Sequence, residues 1–508
     1  MILGGTGRNA EGAHTTLDDL FRRAGVRHPD MLALADPPNR ESFTDGAPRN
    51  LTYAHTDRAI SALVSRLHRL GLQADTVVAM QLPNTVESVI TLLALLRAGM
   101  IAVPLPLLWR QAEIVAALKI VGAKAIVTSS RIGANAHAET AMRAAVELFP
   151  IRHICAFGQE LPDGVVPLDD IFAPEQSDFL QPSARPGTAA CHAALVTIDV
   201  GTDGLRAMAR NHNELIAGGL APYLEGGAAQ DASVLSTIPL GSFAGVALSV
   251  VPWLLGGGTL NLHHAFDPET FAQQCRMQDG GIIVLPGSAL APLVEAGHVG
   301  GASNTVVALW RSPERLASSQ PWPGEASLVD VASFGETGLI AGLRGTDGLP
   351  LPISYGAIGA PRSATGAVNV VDVLRTAAGT LALRGPMVPT HAFPPGTEHG
   401  PEPHLAVDAL GFVDTGFTCR LERDTQMLVI DSPPAGVTAI GGYRFRQNAI
   451  DWLVAEADLD ATIVALPDAF LNLRLAGSGP DPAATAAQLQ ASGVNPLISG
   501  AFQPRNAA

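Results

Sequence analysis

Apolar and polar positions follow two different periods in residues 51–130, and this stretch predicts the fold class. Apolar residues recur every three to four positions from Ile60 to Leu70, which predicts an amphipathic helix that Gly71 ends. Short apolar runs between such helices predict buried strands. Strands that alternate with helices of this length form a mostly parallel sheet covered on both faces. The predicted helices are 85–98 and 110–120, and the predicted strands are 77–82, 101–104 and 125–129.

The same pattern returns later in the chain and then changes. A second α/β block is predicted between residues 234 and 286, and Asp267 precedes one of its helices. From Gly356 onward, short β segments and turns replace the helices, which predicts a small β subdomain. Asn84 and Glu87 have the spacing of a capping box at the start of helix 85–98. Further helices are predicted at 17–27, 136–149 and 267–277, and further strands at 234–239, 281–285, 356–361, 369–373 and 381–386.

Three motifs in the first block resemble a known superfamily. They are Leu51-Thr52-Tyr53, Leu82-Pro83-Asn84 and the run from Arg97 to Leu105. In this order and spacing they resemble the adenylate-forming superfamily, which includes acyl-CoA synthetases, luciferases and peptide-synthetase adenylation domains. Later stretches at 234–240, 254–260, 266–271 and 441–467 extend the resemblance over nearly the whole chain. The alternative is an unrelated doubly wound α/β protein.

The resemblance implies an α/β fold with a division into two parts. The large N-terminal region, 1–431, is expected to contain two doubly wound α/β sheets plus a small β subdomain at about 343–431. Residues 432–508 are expected to form a small, shortened α+β C-terminal lid. Pro433 and Pro434 stand where the family has its hinge, so they are expected to stiffen the joint.

Charge and composition exclude several classes of partner. Lys+Arg is 32 and Asp+Glu is 47, so the net charge of 32 − 47 = −15 argues against nucleic acid and anionic membranes. The most apolar predicted helix is too short to span a bilayer. The high apolar content is compatible with a homo-oligomer. Four scattered cysteines predict reduced thiols in a cytoplasmic protein; they are Cys155, Cys191, Cys275 and Cys419.

The resemblance implies a reaction in which a carboxylate attacks the α-phosphorus of ATP and the acyl group then moves to a thiol. ATP with Mg²⁺, and CoA, are the cofactors implied, with a carboxylic acid or acyl-CoA as the small-molecule partner. The phosphate-loop motif falls on residues 197–206, where Asp199 and Asp203 add negative charge and Arg206 is the candidate replacement for the lysine. The alternative is an inherited turn. The nucleotide-binding candidates in this loop are Gly201, Thr202 and Gly204.

The remaining motifs also differ from the family pattern at the positions where the family has its functional polar side chains. Ser242 stands at the gating histidine, and Phe417 at the ribose-binding aspartate, for which Asp414 is the candidate substitute. Glu336 is the candidate magnesium ligand, with a solvated turn as the alternative. Arg206 and Glu336 are also the catalytic candidates. The other nucleotide-binding candidates are Phe334, Gly335 and Thr337, and the acyl-pocket candidates are Ser242, Phe243 and Gly245.

Lysine content bears most directly on activity. The family's lid supplies a catalytic lysine, but the last lysine of this chain is Lys124. We therefore predict an acyl-CoA synthetase-like protein that binds an acyl or aryl acid, or its CoA or adenylate form, with adenylation lost or very weak. The alternatives are an active AMP-forming acid–CoA ligase with unusual catalytic residues and a structural protein-interaction module. The cations of the predicted lid are Arg444, Arg446, Arg474 and Arg505.

Overall fold

The structure is a computed structural model. It describes residues 14–173, 187–278, 280–299, 301, 304–362, 367–422, 424–468 and 471–503. Arg505, one of the predicted lid cations, lies outside these residues.

The first large sheet has seven strands and is parallel except at one edge. The predicted strands at 101–104 and 125–129 are confirmed residue for residue. The exception is a hairpin whose two strands are antiparallel and contain the phosphate-loop motif at their turn. In spatial order the strands are Val166–Pro167, His153–Phe157, Ala125–Ser129, Val77–Gln81, Ile101–Pro104, Ala193–Val200 and Leu205–Asn211.

The second large sheet has eight strands, and its inner strands are parallel. One edge consists of two strands that precede the whole first sheet in the chain, a crossing that the local pattern does not predict. In spatial order its strands are Gly338–Leu343, Ser327–Phe334, Thr305–Trp310, Ile282–Pro286, Val234–Ser236, Leu260–Leu262, Leu32–Ala35 and Asn50–Thr52.

Antiparallel sheets follow toward the C-terminus, so the predicted α/β fold class is confirmed. The six-stranded sheet contains Ile353–Ser354, Met427–Ser432, Val413–Glu422, Thr380–Arg384, Val368–Arg375 and Gly356–Ala360. Two small hairpins come last: Val437–Ile440 with Tyr443–Arg446, and Thr462–Asp468 with Asn472–Ser478. Ile440, Ile450 and Leu489 belong to a hydrophobic cluster formed by the C-terminal residues alone. The division at residue 432 stays a prediction.

The helices cover the faces of the two large sheets and pack on the C-terminal hairpins. The predicted helix at 17–27 is confirmed at both ends, and the others agree within a few residues. Among the described helices, none combines the length and the apolar composition that a membrane span requires. The helices are Leu17–Arg27, Tyr53–Arg69, Val86–Arg97, Gln111–Val121, His137–Val146, His212–Gly226, Phe243–Gly245, Val251–Gly256, Pro268–Met277, Leu290–Glu295, Gln447–Ala457, Pro482–Ala491 and Pro496–Ser499, with a π-helical turn at Val246–Val250.

The predicted capping box at Asn84 and Glu87 is wrong. Asp36 caps the helix instead, because its Oδ1 accepts the N–H of Val86 at 2.8 Å. Glu87 turns inward and pairs with Arg40 at 2.5 Å. The Asn84 amide donates to two carbonyls of the other large sheet, at Ser236 and His263. Tertiary partners thus replace the local hydrogen bonds of a capping box.

Candidate functional site

A cavity of about 80 Å³ lies where the two large sheets meet the hairpin of residues 437–446. Asp199 comes from the first sheet, and Glu336 follows a strand of the second sheet. The hairpin supplies Gly442, Tyr443 and Arg444. The site is therefore built from three separate elements whose residues are far apart in sequence.

The central contact of the site is an ion pair between Asp199 and Arg444. Nη1 of Arg444 donates to Oδ1 of Asp199 at 2.6 Å, and both side chains are about nine-tenths buried. Gly335, with φ of +60°, makes this approach possible, because a Cβ there would lie 2.4 Å from Nη1 of Arg444. The carboxylate of the phosphate-loop motif thus neutralises the arginine of the hairpin. Nε and Nη2 of Arg444 are buried and have no hydrogen-bond partner in the described part of the chain.

Glu336 is held beside this ion pair. Its Oε2 accepts the N–H of Phe243 at 2.7 Å, and its own N–H donates to Oδ1 of Asp199 at 3.3 Å. Burial raises the pKa of the Glu336 carboxyl, and the neighbouring Asp199 charge adds to the rise. The side chain is thus engaged with protein groups.

Arg210 lies behind Glu336 and is fully buried. Its Nη2 donates to the carbonyls of Glu336 at 2.5 Å and Thr337 at 2.8 Å, and its Nε donates to the carbonyl of Met387. The guanidinium carbon lies 3.7 Å from the centre of the Phe243 ring. Burial lowers the pKa of Arg210 to about 10. This arginine fixes the turn that presents Glu336.

Ser242 and Arg311 form the wall next to the hairpin. Nη2 of Arg311 donates to Oγ of Ser242 at 3.1 Å, and the same oxygen accepts the N–H of Gly245. Gly442 packs directly on Arg311, because a Cβ at Gly442 would lie 2.5 Å from Cδ of Arg311. Burial raises the pKa of Tyr443, whose side chain lies next to the backbone amide of Leu108. The hairpin turn is therefore packed tightly against this wall.

The aromatic candidates pack against each other. Phe334 and Phe417 are both buried, with ring centres 5.4 Å apart in an edge-to-face arrangement. The guanidinium of Arg444 lies 5.1 Å from the Phe417 ring centre. Phe417 thus contributes an apolar ring where the resemblance implies a hydrogen-bond acceptor.

The phosphate-loop candidates form a β-hairpin turn. Gly201 donates its N–H to the carbonyl of Gly204 at 2.8 Å, and Gly204 has φ of +151°. Thr202 is exposed at the tip. The Arg206 guanidinium is paired with Asp203 at 2.6 Å within the same turn. Arg206 therefore does not line the 80 Å³ cavity.

The other predicted residues are scattered around the site. Asp414 is exposed on the six-stranded sheet and accepts hydrogen bonds from Thr380 and Gly416. Phe243 and Gly245 are buried behind the wall, whereas Ser242 lines the cavity. Of all the predicted site residues, the cavity contacts Ser242 and Glu336.

A magnesium site at Glu336 stays a prediction. Asp199 is committed to Arg444, and Glu336 to the Phe243 amide. Across the ranges that the structure describes, there is no group of three or more His, Cys, Asp or Glu side chains that could hold a metal. Mg²⁺ usually keeps several waters and binds through one or two carboxylates plus substrate phosphates. Glu336, which lines the cavity, is the carboxylate that would serve such an ion.

Sequence reasoning missed Arg210 and Arg311. Arg210 follows the phosphate-loop motif in a strand, and Arg311 follows another strand; neither position carries a local signal. Their roles depend on carbonyls and hydroxyls that other elements bring to them.

Comparisons with known proteins agree with this architecture. The family model described as "AMP-binding enzyme" matches residues 21–386. A 2-hydroxy-7-methoxy-5-methyl-1-naphthoate–CoA ligase of Streptomyces carzinostaticus is 27% identical over 482 residues, which cover 89% of this chain and 81% of the ligase. A salicyl-AMP ligase of Mycobacterium tuberculosis is 27% identical over 54% of this chain and 46% of that protein.

Solved structures share the fold. An amide bond synthetase from Marinactinospora thermotolerans superposes with a TM-score of 0.66 at 16% identity, over 94% of both chains. The MbtA protein of Mycobacterium smegmatis superposes with a TM-score of 0.62 at 21% identity, over 96% of this chain and 90% of that one. Because the family model spans well over half of the chain and the sheets, turns and hairpins described above form the same architecture, this chain belongs to the AMP-binding enzyme family.

Proposed function

We propose that this chain is an acyl-CoA synthetase-like protein that binds an acyl or aryl acid, or its CoA or adenylate form, with adenylation lost or very weak. The observation that carries this proposal is the ion pair between Asp199 and Arg444. Adenylation requires positive charge and N–H donors around the phosphates of ATP. Here a carboxylate occupies the phosphate-loop strand and neutralises the guanidinium of the hairpin.

Two further features support the loss of adenylation. No lysine follows Lys124, so no lysine of the C-terminal residues can bridge the reacting groups. Phe417 is buried against Phe334 and has no acceptor for the ribose hydroxyls. Removal of one preorganised charged donor typically costs on the order of 10²–10³ in rate. These losses are not additive, but each acts in the same direction.

The related proteins support the class of ligand. The two relatives named above act on a naphthoate and on a salicyl group, so an aryl acid or its activated derivative is the ligand class we propose. Arg444 retains two nitrogens, Nε and Nη2, without a partner in the described part of the chain, and their N–H groups are suited to a carboxyl or phosphate oxygen. We also propose that the protein functions in the cytoplasm, where its free cysteines would stay reduced.

An active ligase is the second candidate. The 27% identity over 89% of the chain to a CoA ligase favours it, because that relative spans nearly the same length. In that case ATP and CoA would be substrates and Mg²⁺ the cofactor. An arginine of the predicted lid would replace the missing lysine.

Pyrophosphate exchange across a panel of aryl and alkyl carboxylic acids tests the proposal. We expect no exchange above the level of a Ser242→Trp variant, in which the cavity wall is filled. Calorimetry with benzoyl-CoA, in the absence of ATP, should give binding to the wild type that Ser242→Trp weakens. Exchange at ordinary ligase rates for any acid would establish the second candidate instead. Absence of heat with every acid and acyl-CoA would refute both.

A further inference from the structure

A second and larger cavity, of about 490 Å³, lies at the carboxyl ends of three neighbouring parallel strands. The strands are Val234–Ser236, Leu260–Leu262 and Ile282–Pro286. The walls are mainly apolar and include Thr237, His264, Phe266, Leu285, Leu293 and His298. This volume falls within the range of small-molecule sites in proteins, roughly 300–1,000 Å³.

The position of this cavity in the sheet is typical of a ligand site. Strand Val234–Ser236 pairs with Leu260–Leu262 on one side and with Ile282–Pro286 on the other. After strand Val234–Ser236, the chain first forms the neighbouring strand Leu260–Leu262 and then crosses to form Ile282–Pro286 on the opposite side. In open α/β sheets, such a reversal of strand order leaves a crevice outside the carboxyl ends, where ligands bind.

The polar side chains of the cavity are three imidazoles and the hydroxyl of Thr237, which donates to the carbonyl of Val284 at 3.1 Å. His263 has partners on both nitrogens: Nδ1 lies 2.7 Å from Oε1 of Gln274, and Nε2 accepts the N–H of Asp267. His264 contacts the Phe43 ring edge-to-face with its centre 4.8 Å away. Neither the His264 nor the His298 ring makes a hydrogen bond or ion pair within the described residues. Burial lowers the pKa of His264 to about 4, so its ring is neutral at physiological pH.

The lining residues of this cavity carry no charged side chain, and this limits the kinds of ligand that can bind. No Lys, Arg, Asp or Glu is among the residues that line the cavity. An ionised carboxylate bound there would have no cationic side chain among the lining residues to pair with. A neutral imidazole instead offers one N–H donor and one nitrogen acceptor to an uncharged polar group.

We propose that this cavity is a binding site for a small uncharged aromatic molecule that carries a hydroxyl or carbonyl group. The aromatic body packs against Phe266, Leu285 and Leu293, and the polar group bonds to His264 or His298. The site is distinct from the cleft of the proposed function. Thr237 and Pro286 also line a cavity of about 170 Å³ that contacts Gly442, so the two sites are neighbours.

Fluorescence titration of the full chain with 2-naphthol tests the proposal, with naphthalene and 2-naphthoate as matched probes. We expect 2-naphthol to bind Ser242→Trp, in which the other cleft is filled, at least tenfold more tightly than 2-naphthoate does, because the cavity offers the anion no cationic partner. We expect it to bind about three- to tenfold more tightly than naphthalene, because one hydrogen bond contributes this much. His264→Phe or His298→Phe should remove the preference over naphthalene.

Two tryptophan variants on the same helical segment provide the control. Ala296 is exposed and lines this cavity, whereas Ala291 is exposed and lines a separate groove on the other side. Ala296→Trp should weaken 2-naphthol binding at least tenfold, and Ala291→Trp should leave it unchanged. If Ala296→Trp does not fold, the two histidine variants decide.

Three results would overturn the proposal. They are no binding of 2-naphthol, equal or tighter binding of 2-naphthoate in Ser242→Trp, and loss of 2-naphthol binding in Ser242→Trp, which would assign the probe to the other cleft. None of them bears on pyrophosphate exchange, so this proposal and the proposed function fail independently.

Discussion

Nη1 of Arg444 lies 2.6 Å from Oδ1 of Asp199, and this ion pair joins the C-terminal hairpin to the first large sheet. Because both side chains are about nine-tenths buried, removal of one partner leaves the other charge buried and uncompensated. The pair therefore holds the hairpin against the cavity.

The first prediction concerns stability. Arg444→Ala should lower the free energy of unfolding by about 3–5 kcal/mol, the usual cost of breaking a buried pair. Urea denaturation measures this. Arg420→Ala is the control, because Arg420 and Asp431 form a pair with 60% and 38% exposed side chains, and it should cost less than about 1 kcal/mol. Equal effects of the two variants would contradict a stabilising role for the buried pair.

The second prediction concerns anion binding. Asp199→Asn removes the negative charge beside the cavity and releases Nη1 of Arg444, so pyrophosphate should bind about tenfold more tightly. Isothermal titration calorimetry is the measurement. Asp203→Asn removes the same charge from the exposed turn of the same hairpin and should change the Kd much less. An unchanged Kd in Asp199→Asn would show that this carboxylate does not block the site.

The third prediction concerns the hairpin turn. Gly442 has φ of +86°, and a Cβ there would lie 2.5 Å from Cδ of Arg311. Gly436 has φ of +70° but no atom within 4 Å of the same position. Gly436→Ala should cost about 1–2 kcal/mol of backbone strain, and Gly442→Ala more, because it adds a steric clash. Similar unfolding midpoints for both variants would mean that the turn moves away from Arg311 without cost.

The fourth prediction is a pH dependence. Burial raises the pKa of Glu214 to about 7, and its carboxylate accepts the N–H of Asn211 at the start of helix His212–Gly226. The folded state then binds this proton more tightly than the unfolded state does. The contribution of the Glu214 carboxyl to stability is present below the ordinary glutamate pKa and is lost as the pH rises to about 7.

Glu214→Gln should remove this pH dependence. The difference in free energy of unfolding, wild type minus variant, should fall between about pH 4.5 and 7 in urea titrations. Glu139→Gln makes the same substitution at a side chain that is 58% exposed and serves as the comparison. A rise in the Glu214 curve over this window would reverse the sign and disprove the assignment.

The fifth prediction concerns thiol reactivity. Burial raises the pKa of Cys155 and Cys275 to about 12 and that of Cys419 to about 11, and all three are buried. Cys191 is the partly accessible thiol. A disulfide reagent such as DTNB should therefore modify one thiol quickly in the native protein and four in denaturant. Cys191→Ser should abolish the fast phase; persistence of that phase would show that a buried cysteine becomes accessible.

The scaffold could be predicted because the spacing of apolar residues, and the glycines and prolines at segment ends, decide where helices and strands form. Strand Ile101–Pro104 and helix Leu17–Arg27 follow directly from apolar spacing. The apolar spacing could not predict that Asp36 caps helix Val86–Arg97, because this residue comes from a separate loop.

The site was less predictable for the same physical reason. Asp199 and Arg444 are 245 positions apart, so nothing local to either residue indicates the partner. Arg210 satisfies carbonyls more than 120 residues away. The sequence reasoning could find which family groups were missing, but not which contacts replaced them.

The side chain of Asn84 has a consequence for the assembly of the fold. Its amide reaches the carbonyls of Ser236 and His263, 152 and 179 residues further on, and thereby joins the two large sheets. Both hydrogen bonds can form only after the two sheets have met. The last residue of the Leu82-Pro83-Asn84 motif is therefore satisfied by the finished architecture and not by its own neighbours in the chain.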